Sequence, residues 1–306
     1  MSLTDDATSL LIIIVDTNPV WWGLSQGKGD GQLTLSQCLD NVLVCANSHL
    51  MMNHKNKLAV IASHTNASHF LYPRPDLDQR TTEGTETANG QTVPGDGRHE
   101  LFSIVNESIR KQIKELVLSG LCGELFSDSL LAGSMAMALC YIHRLEKECV
   151  AGEEMSARIL IVKGSEDNPA QYMNFMNVVF TAQKQNVVID ACILDNDSGL
   201  LQQACDITGG IYLKIPQMTG LLQYLLWVFL PDKSTRDKLT LPPKAQVDYR
   251  AACFCHRTLI DVGYVCSVCL SIFCHFSPIC STCQTTFRFL GPPKSLKKKG
   301  KRSAVS

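Results

Sequence analysis

The stretch Leu10-Leu11-Ile12-Ile13-Ile14-Val15-Asp16 decides the fold of this 306-residue chain. Six consecutive aliphatic residues without polar alternation are typical of a β-strand whose two faces are both buried, as in a parallel sheet covered by helices. The carboxylate of Asp16 then falls at the end of the strand, where α/β proteins commonly place their binding sites. The first question is therefore whether Asp16 serves a site or only closes a loop.

Strand-like and helix-like patterns alternate over residues 8–232. Continuous apolar runs predict strands, and runs with an apolar residue every three or four positions predict helices. Thr34 and Gln37 form the pattern of a capping box at the start of one of these helices. The repeated β–α alternation predicts an α/β fold with a doubly wound, mostly parallel sheet.

Changes in composition divide the remainder of the chain. Residues 73–100 are poor in aliphatic residues and rich in Thr, Gly, Pro and Asp, so we expect a flexible insertion within the α/β domain. We expect a proline-containing linker over 233–247, a cysteine-rich zinc-binding module over 248–290 and a basic disordered tail over 291–306.

Charge and hydropathy argue against several classes of protein. The tail carries six basic and no acidic residues, so the rest of the chain is net acidic and unsuited to strong direct nucleic-acid binding. The first residues lack the basic segment of a secretory signal. The longest apolar run, Leu221–Leu230, has half of the roughly 20 residues that span a bilayer. We expect a soluble intracellular protein with no membrane partner.

The order of elements over residues 8–232 resembles a von Willebrand A domain. In that family an Asp-x-Ser-x-Ser motif after the first strand binds Mg²⁺ together with a later threonine and aspartate. The corresponding positions here are Asp16, Asn18 and Val20, and Lys163 stands where the second aspartate is expected. A valine offers no oxygen ligand, and an ammonium group repels a cation. We therefore predict that this site binds no Mg²⁺ and that Asp16 accepts hydrogen bonds within its loop.

Trp21 and Trp22 follow the first strand closely, and two interpretations are open. Large aromatic side chains on a loop can anchor a protein partner, or the pair can close the rim of its own domain. Asp195 and Asp197 share one loop without forming a site, and His143 is predicted on a helix surface. The sequence contains no recognisable nucleophile with its base and no phosphate-binding loop, so we predict no enzymatic activity.

Seven of the fourteen cysteines lie between residues 253 and 283. Cys266 and Cys269 form one Cys-x-x-Cys pair, and Cys280 and Cys283 form another, ten residues further on. In a reducing compartment such crowded pairs indicate metal binding rather than disulfides. Four thiolates complete a tetrahedral Zn²⁺ shell without an open position, so these four residues predict a structural zinc site.

A second set of ligand-type residues is less clearly arranged. It comprises Cys253, Cys255, His256, Cys274 and His275. Pairs at 253/256 and 274/275, interleaved with the two Cys-x-x-Cys pairs, would produce a RING-like module with two zinc ions. Adjacent side chains such as Cys274 and His275 diverge, however, so a second zinc site remains an open alternative.

Several segments together resemble one family more specifically. They are Leu200–Gly210 (LLQQACDITGG), Tyr224–Pro231 (YLLWVFLP), Asp248–His256 (DYRAACFCH) and Gly263–Cys269 (GYVCSVC). They resemble the A-domain and zinc-finger subunits of the general transcription and DNA repair factor TFIIH. The resemblance implies a non-catalytic core subunit in the nucleus, acting in RNA polymerase II transcription initiation and nucleotide excision repair. It also implies partners among the other TFIIH core subunits, chiefly the second A-domain and zinc-finger subunit.

Three other functions compete with this interpretation. A RING-like ubiquitin ligase would use the C-terminal cysteines, and it needs two interleaved zinc ions and an exposed apolar surface. An ion-dependent adhesion domain is opposed by Val20 and Lys163. Direct DNA binding by the zinc module is disfavoured because the chain outside the basic tail is net acidic and would bind the phosphate backbone poorly.

Overall fold

The computed structural model describes residues 8–26, 33–73, 97–120, 128–149, 155–168, 171–243, 246–256 and 258–287. These residues form two compact units that divide between Asp248 and Tyr249. Most of the predicted insertion and the whole predicted basic tail lie outside the described residues. Within the described part of the chain, every helix is too short or too polar to cross a membrane.

The first unit is built on a six-stranded sheet in the order β3-β2-β1-β4-β5-β6. All neighbouring strands are parallel except the pair β2–β3, which is antiparallel. This arrangement confirms the predicted von Willebrand A-like, doubly wound and mostly parallel sheet. The strands are β1 Thr8–Asp16, β2 Lys57–Ser63, β3 Ser68–Tyr72, β4 Met155–Lys163, β5 Val188–Ile193 and β6 Tyr212–Lys214.

Helices cover both faces of the sheet. They are α1 Pro19–Gln26, α2 Leu35–Met52, α3 Gly97–Gly120, α4 Leu131–Glu148, α5 Tyr172–Lys184, α6 Gly199–Thr208, α7 Leu221–Tyr224 and α8 Lys233–Arg236. Helices α2, α3 and α7 pack on one face, and α4, α5 and α6 pack on the other. The predicted capping box is confirmed, since Thr34 and Gln37 exchange side-chain and backbone hydrogen bonds at the start of α2.

Strand β1 supplies both hydrophobic cores at once. All nine of its residues are buried. Successive side chains of a strand point to opposite faces, so Leu11, Ile13 and Val15 enter one core while Leu10, Ile12 and Ile14 enter the other. The uninterrupted aliphatic run is therefore required by the position of β1 in the middle of the sheet.

Three elements of the structure lie at or near boundaries expected from the sequence. Helix α3 begins at Gly97, inside the segment 73–100 that was predicted to be an insertion. The apolar run Leu221–Leu230 forms the single α-turn α7 and a π-helical turn at Leu225–Phe229, after a 3₁₀ turn at Met218–Gly220. Helix α8 lies in the predicted linker 233–247, and it belongs to the first unit because its last residue is anchored there.

That anchor is a buried ion pair between α8 and β5. Arg236 donates two hydrogen bonds to the Asp190 carboxylate, at 2.9 and 2.6 Å, and both side chains are buried. Arg236 and Arg158 also donate to the carbonyl groups that end the π-helical turn, including Phe229 O at 3.0 and 3.1 Å. The two guanidinium groups therefore satisfy carbonyls that have no partner at a helix end.

The second unit has little regular structure. It contains two pairs of short antiparallel strands, β7 Ala251–Ala252 with β8 Leu259–Ile260, and β9 Tyr264–Val265 with β10 Ile272–Phe273. Its buried apolar cluster contains Phe273 together with two cysteines, Cys266 and Cys280. So small a core contributes little folding free energy, which is why domains of this size depend on metals or disulfides.

We predict that Arg236→Ala lowers the free energy of unfolding of the first unit by about 3–5 kcal/mol, because Asp190 stays buried without its partner. Urea unfolding followed by tryptophan fluorescence measures this unit, since all three tryptophans lie in it. The control is Lys214→Ala, which breaks an exposed pair with Asp197 and should cost less than about 1 kcal/mol. If both variants lose the same free energy of unfolding, the buried Arg236–Asp190 pair does not anchor α8.

Candidate metal centres

The four cysteines of the two Cys-x-x-Cys pairs come together in the second unit. The sulfur atoms of Cys266, Cys269, Cys280 and Cys283 all lie within 4.8 Å of one another. Cys266 Sγ lies 3.6 Å from Cys283 Sγ, and Cys269 Sγ lies 3.6 Å from Cys280 Sγ. A tetrahedral ion with metal–sulfur bonds of about 2.3 Å requires sulfur–sulfur separations of about 3.8 Å. We call these residues the four-cysteine group, and their geometry fits a tetrahedral metal ion.

Each Cys-x-x-Cys pair is positioned by the same tight turn. The backbone N–H of Cys266 donates to Ser271 O, and that of Cys280 donates to Thr285 O, both at 2.9 Å. The residue after each second cysteine, Leu270 or Gln284, has a φ of 59°. This left-handed conformation is uncommon outside glycine. It reverses the chain so that both sulfur atoms of a pair face the same point.

Hydroxyl groups favour the thiolate form of two of these ligands. The Ser271 hydroxyl lies 3.1 Å from Cys269 Sγ and lowers the pKa of Cys269 to about 6. The Thr285 hydroxyl lies 3.2 Å from Cys283 Sγ and likewise lowers the pKa of Cys283. Thiolates, not thiols, are the metal ligands, so these contacts suit metal binding.

The structure assembles a second possible ligand group, which we call the mixed group: Cys253, Cys255, His256 and Cys274. Its ligand atoms also lie within 4.8 Å of one another. Cys274 Sγ is 3.3 Å from Cys255 Sγ and 3.1 Å from His256 Nδ1. Among the described residues, these two groups are the sets of three or more His, Cys, Asp or Glu that could hold a metal ion.

The thiols of the mixed group differ in acidity. The Thr258 hydroxyl lies 3.4 Å from Cys253 Sγ and lowers the pKa of Cys253 to about 5. The neighbouring Cys255 sulfur raises the pKa of Cys274 to about 11. The sequence had indicated five candidate residues, with 253/256 and 274/275 as pairs; the structure brings four of them together, Cys255 included, and leaves His275 outside the group.

At the carboxyl edge of the parallel sheet, the Asp16 carboxylate is occupied by protein donors. Asp16 is 2 % exposed. It accepts hydrogen bonds from the backbone N–H of Asn18 at 3.2 Å, from the backbone N–H of Ser165 at 3.0 Å, and from the Ser165 hydroxyl. The Asn18 contact is the hydrogen bond within the loop that was predicted for Asp16, whereas both Ser165 contacts come from the segment after β4.

Asn18 and Lys163, at two other positions of the resembled magnesium motif, are also engaged by protein groups. The Asn18 side chain accepts from the backbone N–H groups of Val20 and Trp21, at 3.0 and 3.3 Å, and so begins α1. Lys163 is buried and paired with Asp167. Asp167 in turn accepts from the Ser198 hydroxyl at 2.7 and 2.8 Å. Sequence reasoning missed Ser165 and Asp167, although a carboxylate four residues after Lys163 was a visible signal.

The Trp21–Trp22 pair closes the rim of its own domain. The pair lies in helix α1 rather than on a loop. Trp22 is 4 % exposed and donates from its ring nitrogen to Asp16 O at 2.8 Å. The Trp21 ring packs edge-on against Trp22 and directly over Gly164. Of the two interpretations left open by the sequence, the structure supports rim closure.

Burial makes four thiols of the first unit chemically quiet. Desolvation raises the pKa of Cys38 and of Cys45 to about 12. Burial also raises the pKa values of Cys192 and Cys205. Thiols that stay protonated are poor nucleophiles, so these residues serve the hydrophobic cores. His143 is exposed on α4, as predicted, beside Glu146.

These features define a class: a von Willebrand A-like α/β domain with a closed strand edge, followed by a cysteine-rich unit able to hold metal. The family model for transcription factor Tfb4 matches residues 8–284. The general transcription and DNA repair factor IIH subunit tfb4 of Schizosaccharomyces pombe is 37% identical over 92% of this chain and 90% of that protein. The general transcription factor IIH subunit 3 of Dictyostelium discoideum is 42% identical over 81% and 67%.

A solved structure shows the same relationship. The crystal structure of the TFIIH p34 N-terminal domain superposes with a TM-score of 0.60 at 31% sequence identity. The match covers 74% of this chain and 99% of that domain. The chain belongs to the Tfb4 family of transcription factor IIH subunits, which confirms the resemblance recognised from its sequence.

We predict that Asp16→Ala lowers the free energy of unfolding by about 1–3 kcal/mol, because the buried donors of Asn18 and Ser165 lose their acceptor. The loss should be the same in EDTA and in millimolar Mg²⁺, since Asp16 is engaged by protein groups. Urea unfolding of wild type and variant under both conditions measures it. If Mg²⁺ stabilises the wild-type protein but not the variant, Asp16 binds the ion and is not fully engaged by protein donors.

We predict that Gly164→Ala destabilises the first unit by about 1–3 kcal/mol through overpacking, because the new methyl group would overlap the Trp21 ring. The matched control is Gly199→Ala, where a methyl group meets no atom within 4 Å. That change should stay within about 0.5 kcal/mol of wild type. Thermal unfolding of both variants makes the comparison, and equal stability would show that Trp21 is not held against the rim.

Proposed function

We propose that this protein is a non-catalytic structural subunit of the TFIIH core in the nucleus. It acts in RNA polymerase II transcription initiation and nucleotide excision repair through protein–protein contacts. One observation carries the proposal: the chain matches a named general transcription and DNA repair factor IIH subunit over 92% of its own length and 90% of that subunit. Such two-sided coverage supports a shared role of the whole chain rather than of a single domain.

The closed strand edge supports a scaffolding role. A von Willebrand A-like domain that used its edge for ion-dependent binding would need free oxygen ligands in a near-octahedral array. Here Asp16 is bound by Ser165, and a buried Lys163 ammonium lies at the same edge. The domain therefore offers partners a rigid surface without a resident magnesium ion.

We propose that the four-cysteine group holds a structural Zn²⁺ ion. Soft thiolate ligands in a tetrahedral array suit zinc, and four protein ligands leave no coordination position open for catalysis. Metal binding would supply folding free energy to a unit whose buried cluster is formed by Phe273 and two of the cysteines.

Exposed apolar side chains support assembly with partner proteins. In the second unit Val262 is 85% exposed and Val268 is 64% exposed, and they are accompanied by Val265, Leu270 and Ile279. In the first unit Trp227 is 74% exposed. Apolar groups crowded on so small a unit are typical of interfaces. We assign these contacts to other TFIIH core subunits, chiefly the second A-domain and zinc-finger subunit.

The ubiquitin-ligase alternative also draws on the second unit. Along the chain, ligands of the mixed group alternate with ligands of the four-cysteine group, and interleaving is what a RING-like module requires. The relatives nevertheless carry the names of transcription and repair factor subunits. Interleaving is a way to build a small metal unit, so we retain the scaffold role and use ubiquitin transfer as a counter-test.

We predict that the tagged chain, purified from nuclear extract, recovers the TFIIH core subunits, including the second A-domain and zinc-finger subunit, as identified by mass spectrometry. The double variant Val262→Asp/Val268→Asp should recover them several-fold less, because charged groups replace exposed apolar contacts. The matched control Asp261→Ala, an exposed position in the same segment, should recover them like wild type.

Recovery of the chain alone, or with membrane or matrix proteins, would overturn the proposed assembly. If the Val262→Asp/Val268→Asp variant recovers the TFIIH core subunits as well as wild type does, the exposed apolar side chains of the second unit are not part of the interface. Stimulation by the purified chain of ubiquitin release from a charged conjugating enzyme would support the ligase alternative instead.

A further inference from the structure

The second unit contains three copies of one turn. In each copy the backbone N–H of a cysteine donates to the carbonyl five residues later, at 2.9 Å: Cys253 to Thr258, Cys266 to Ser271 and Cys280 to Thr285. The fifth residue is a hydroxyl residue in all three copies, and its oxygen lies within 3.1–3.4 Å of a cysteine sulfur of the same turn. Two of these turns carry the four-cysteine group.

The repeat assigns a role to His256. In the second and third turns the residue three positions after the first cysteine is a ligand candidate, Cys269 or Cys283. In the first turn that position is His256. An imidazole nitrogen is the usual replacement for a thiolate in zinc sites, so the first turn has the ligand pair of the other two with one conservative exchange.

A backbone hydrogen bond to β10 brings the remaining ligand, Cys274, to this turn. The backbone N–H of Phe254 donates to Ile272 O in β10 at 2.8 Å. The chain leaves β10 directly into Cys274, whose sulfur thereby reaches Cys255 and His256, at 3.3 and 3.1 Å. Three ligands, Cys253, Cys255 and His256, lie in the turn, and the fourth, Cys274, follows β10. The set therefore offers three soft sulfur donors and one imidazole.

We propose that Cys253, Cys255, His256 and Cys274 bind a second Zn²⁺ ion. The two sites then interleave along the chain, with the first and third ligand segments on one ion and the second and fourth on the other. This inference rests on the same metal chemistry as the proposed zinc in the four-cysteine group, but its ligands are separate. His275 Nδ1 lies 3.4 Å from Cys274 Sγ and 4.0 Å from Cys255 Sγ, but His275 is not among the four residues whose ligand atoms all lie within 4.8 Å of one another, so we leave it out of the site.

Zinc content of the purified full-length chain tests the proposal, measured by native mass spectrometry and elemental analysis after dialysis against a weak chelator. Wild type should carry two zinc ions. The variants Cys255→Ser/Cys274→Ser and Cys266→Ser/Cys269→Ser should each fall to one. The matched controls His275→Ala and Cys140→Ser should keep two, because Cys140 is an exposed cysteine outside both groups.

One zinc ion in wild type that survives Cys255→Ser/Cys274→Ser would overturn the second site and leave the four-cysteine site intact. One zinc ion in wild type that is kept by Cys266→Ser/Cys269→Ser but lost from Cys255→Ser/Cys274→Ser would overturn the four-cysteine site. Iron with inorganic sulfide would overturn the zinc assignment of both. None of these results bears on recovery of TFIIH subunits, which tests the proposed function separately.

Cobalt substitution keeps the test valid if a serine variant fails to fold. Co²⁺ bound to the wild-type chain should saturate at two equivalents, with charge-transfer absorption from seven thiolates. His256→Cys should keep two equivalents and raise that absorption by about one-seventh, because a thiolate replaces the imidazole. Saturation at one equivalent, or absorption unchanged in His256→Cys, would contradict the assignment of His256.

Discussion

The burial of strand β1 on both faces is the constraint on which the rest of the first unit depends. A strand with every residue buried needs a helix layer on each side, and parallel neighbours with crossover helices supply both layers. The same arrangement brings the ends of β1 and β4 to one edge, since Val15 pairs with Val162. The six aliphatic residues before Asp16, together with the β–α alternation over residues 8–232, were therefore sufficient to predict the sheet, its helix layers and the edge at which to look for a site.

The chemistry of that edge was only partly predictable. The missing oxygen at Val20 and the ammonium at Lys163 are local facts, and the prediction that no magnesium ion binds there rested on them. Two of the three donors to Asp16 belong to Ser165, 149 residues away, and nothing in a local pattern specifies such a contact. The fate of Trp21 likewise depended on Gly164, whose lack of a side chain makes room for the ring. Predictions failed where contacts between distant segments, rather than periodicity, set the outcome.

In the second unit, too, local features were predictable from the sequence and contacts between separate segments were not. Two Cys-x-x-Cys pairs are self-contained turns, so their convergence was predicted from spacing alone. The mixed group draws Cys274 from the end of β10 and Cys255 from the middle of a turn, and both depend on the Phe254–Ile272 hydrogen bond. The anchoring of α8 has a similar origin, because nothing in the sequence around Arg236 indicates its partner Asp190, which lies 46 residues earlier.

The interleaved order of the two ligand groups has a consequence for how the unit is made. A chain that emerges from the ribosome N-terminus first exposes three members of the mixed group by His256, but the fourth is absent until Cys274 appears. The four-cysteine group becomes complete only nine residues later, at Cys283. Neither set can close early around an ion with its native neighbours. Vectorial synthesis therefore leaves the α/β domain free to fold first, and the two ligand sets of the sulfur-rich segment then become complete one after the other, at Cys274 and at Cys283.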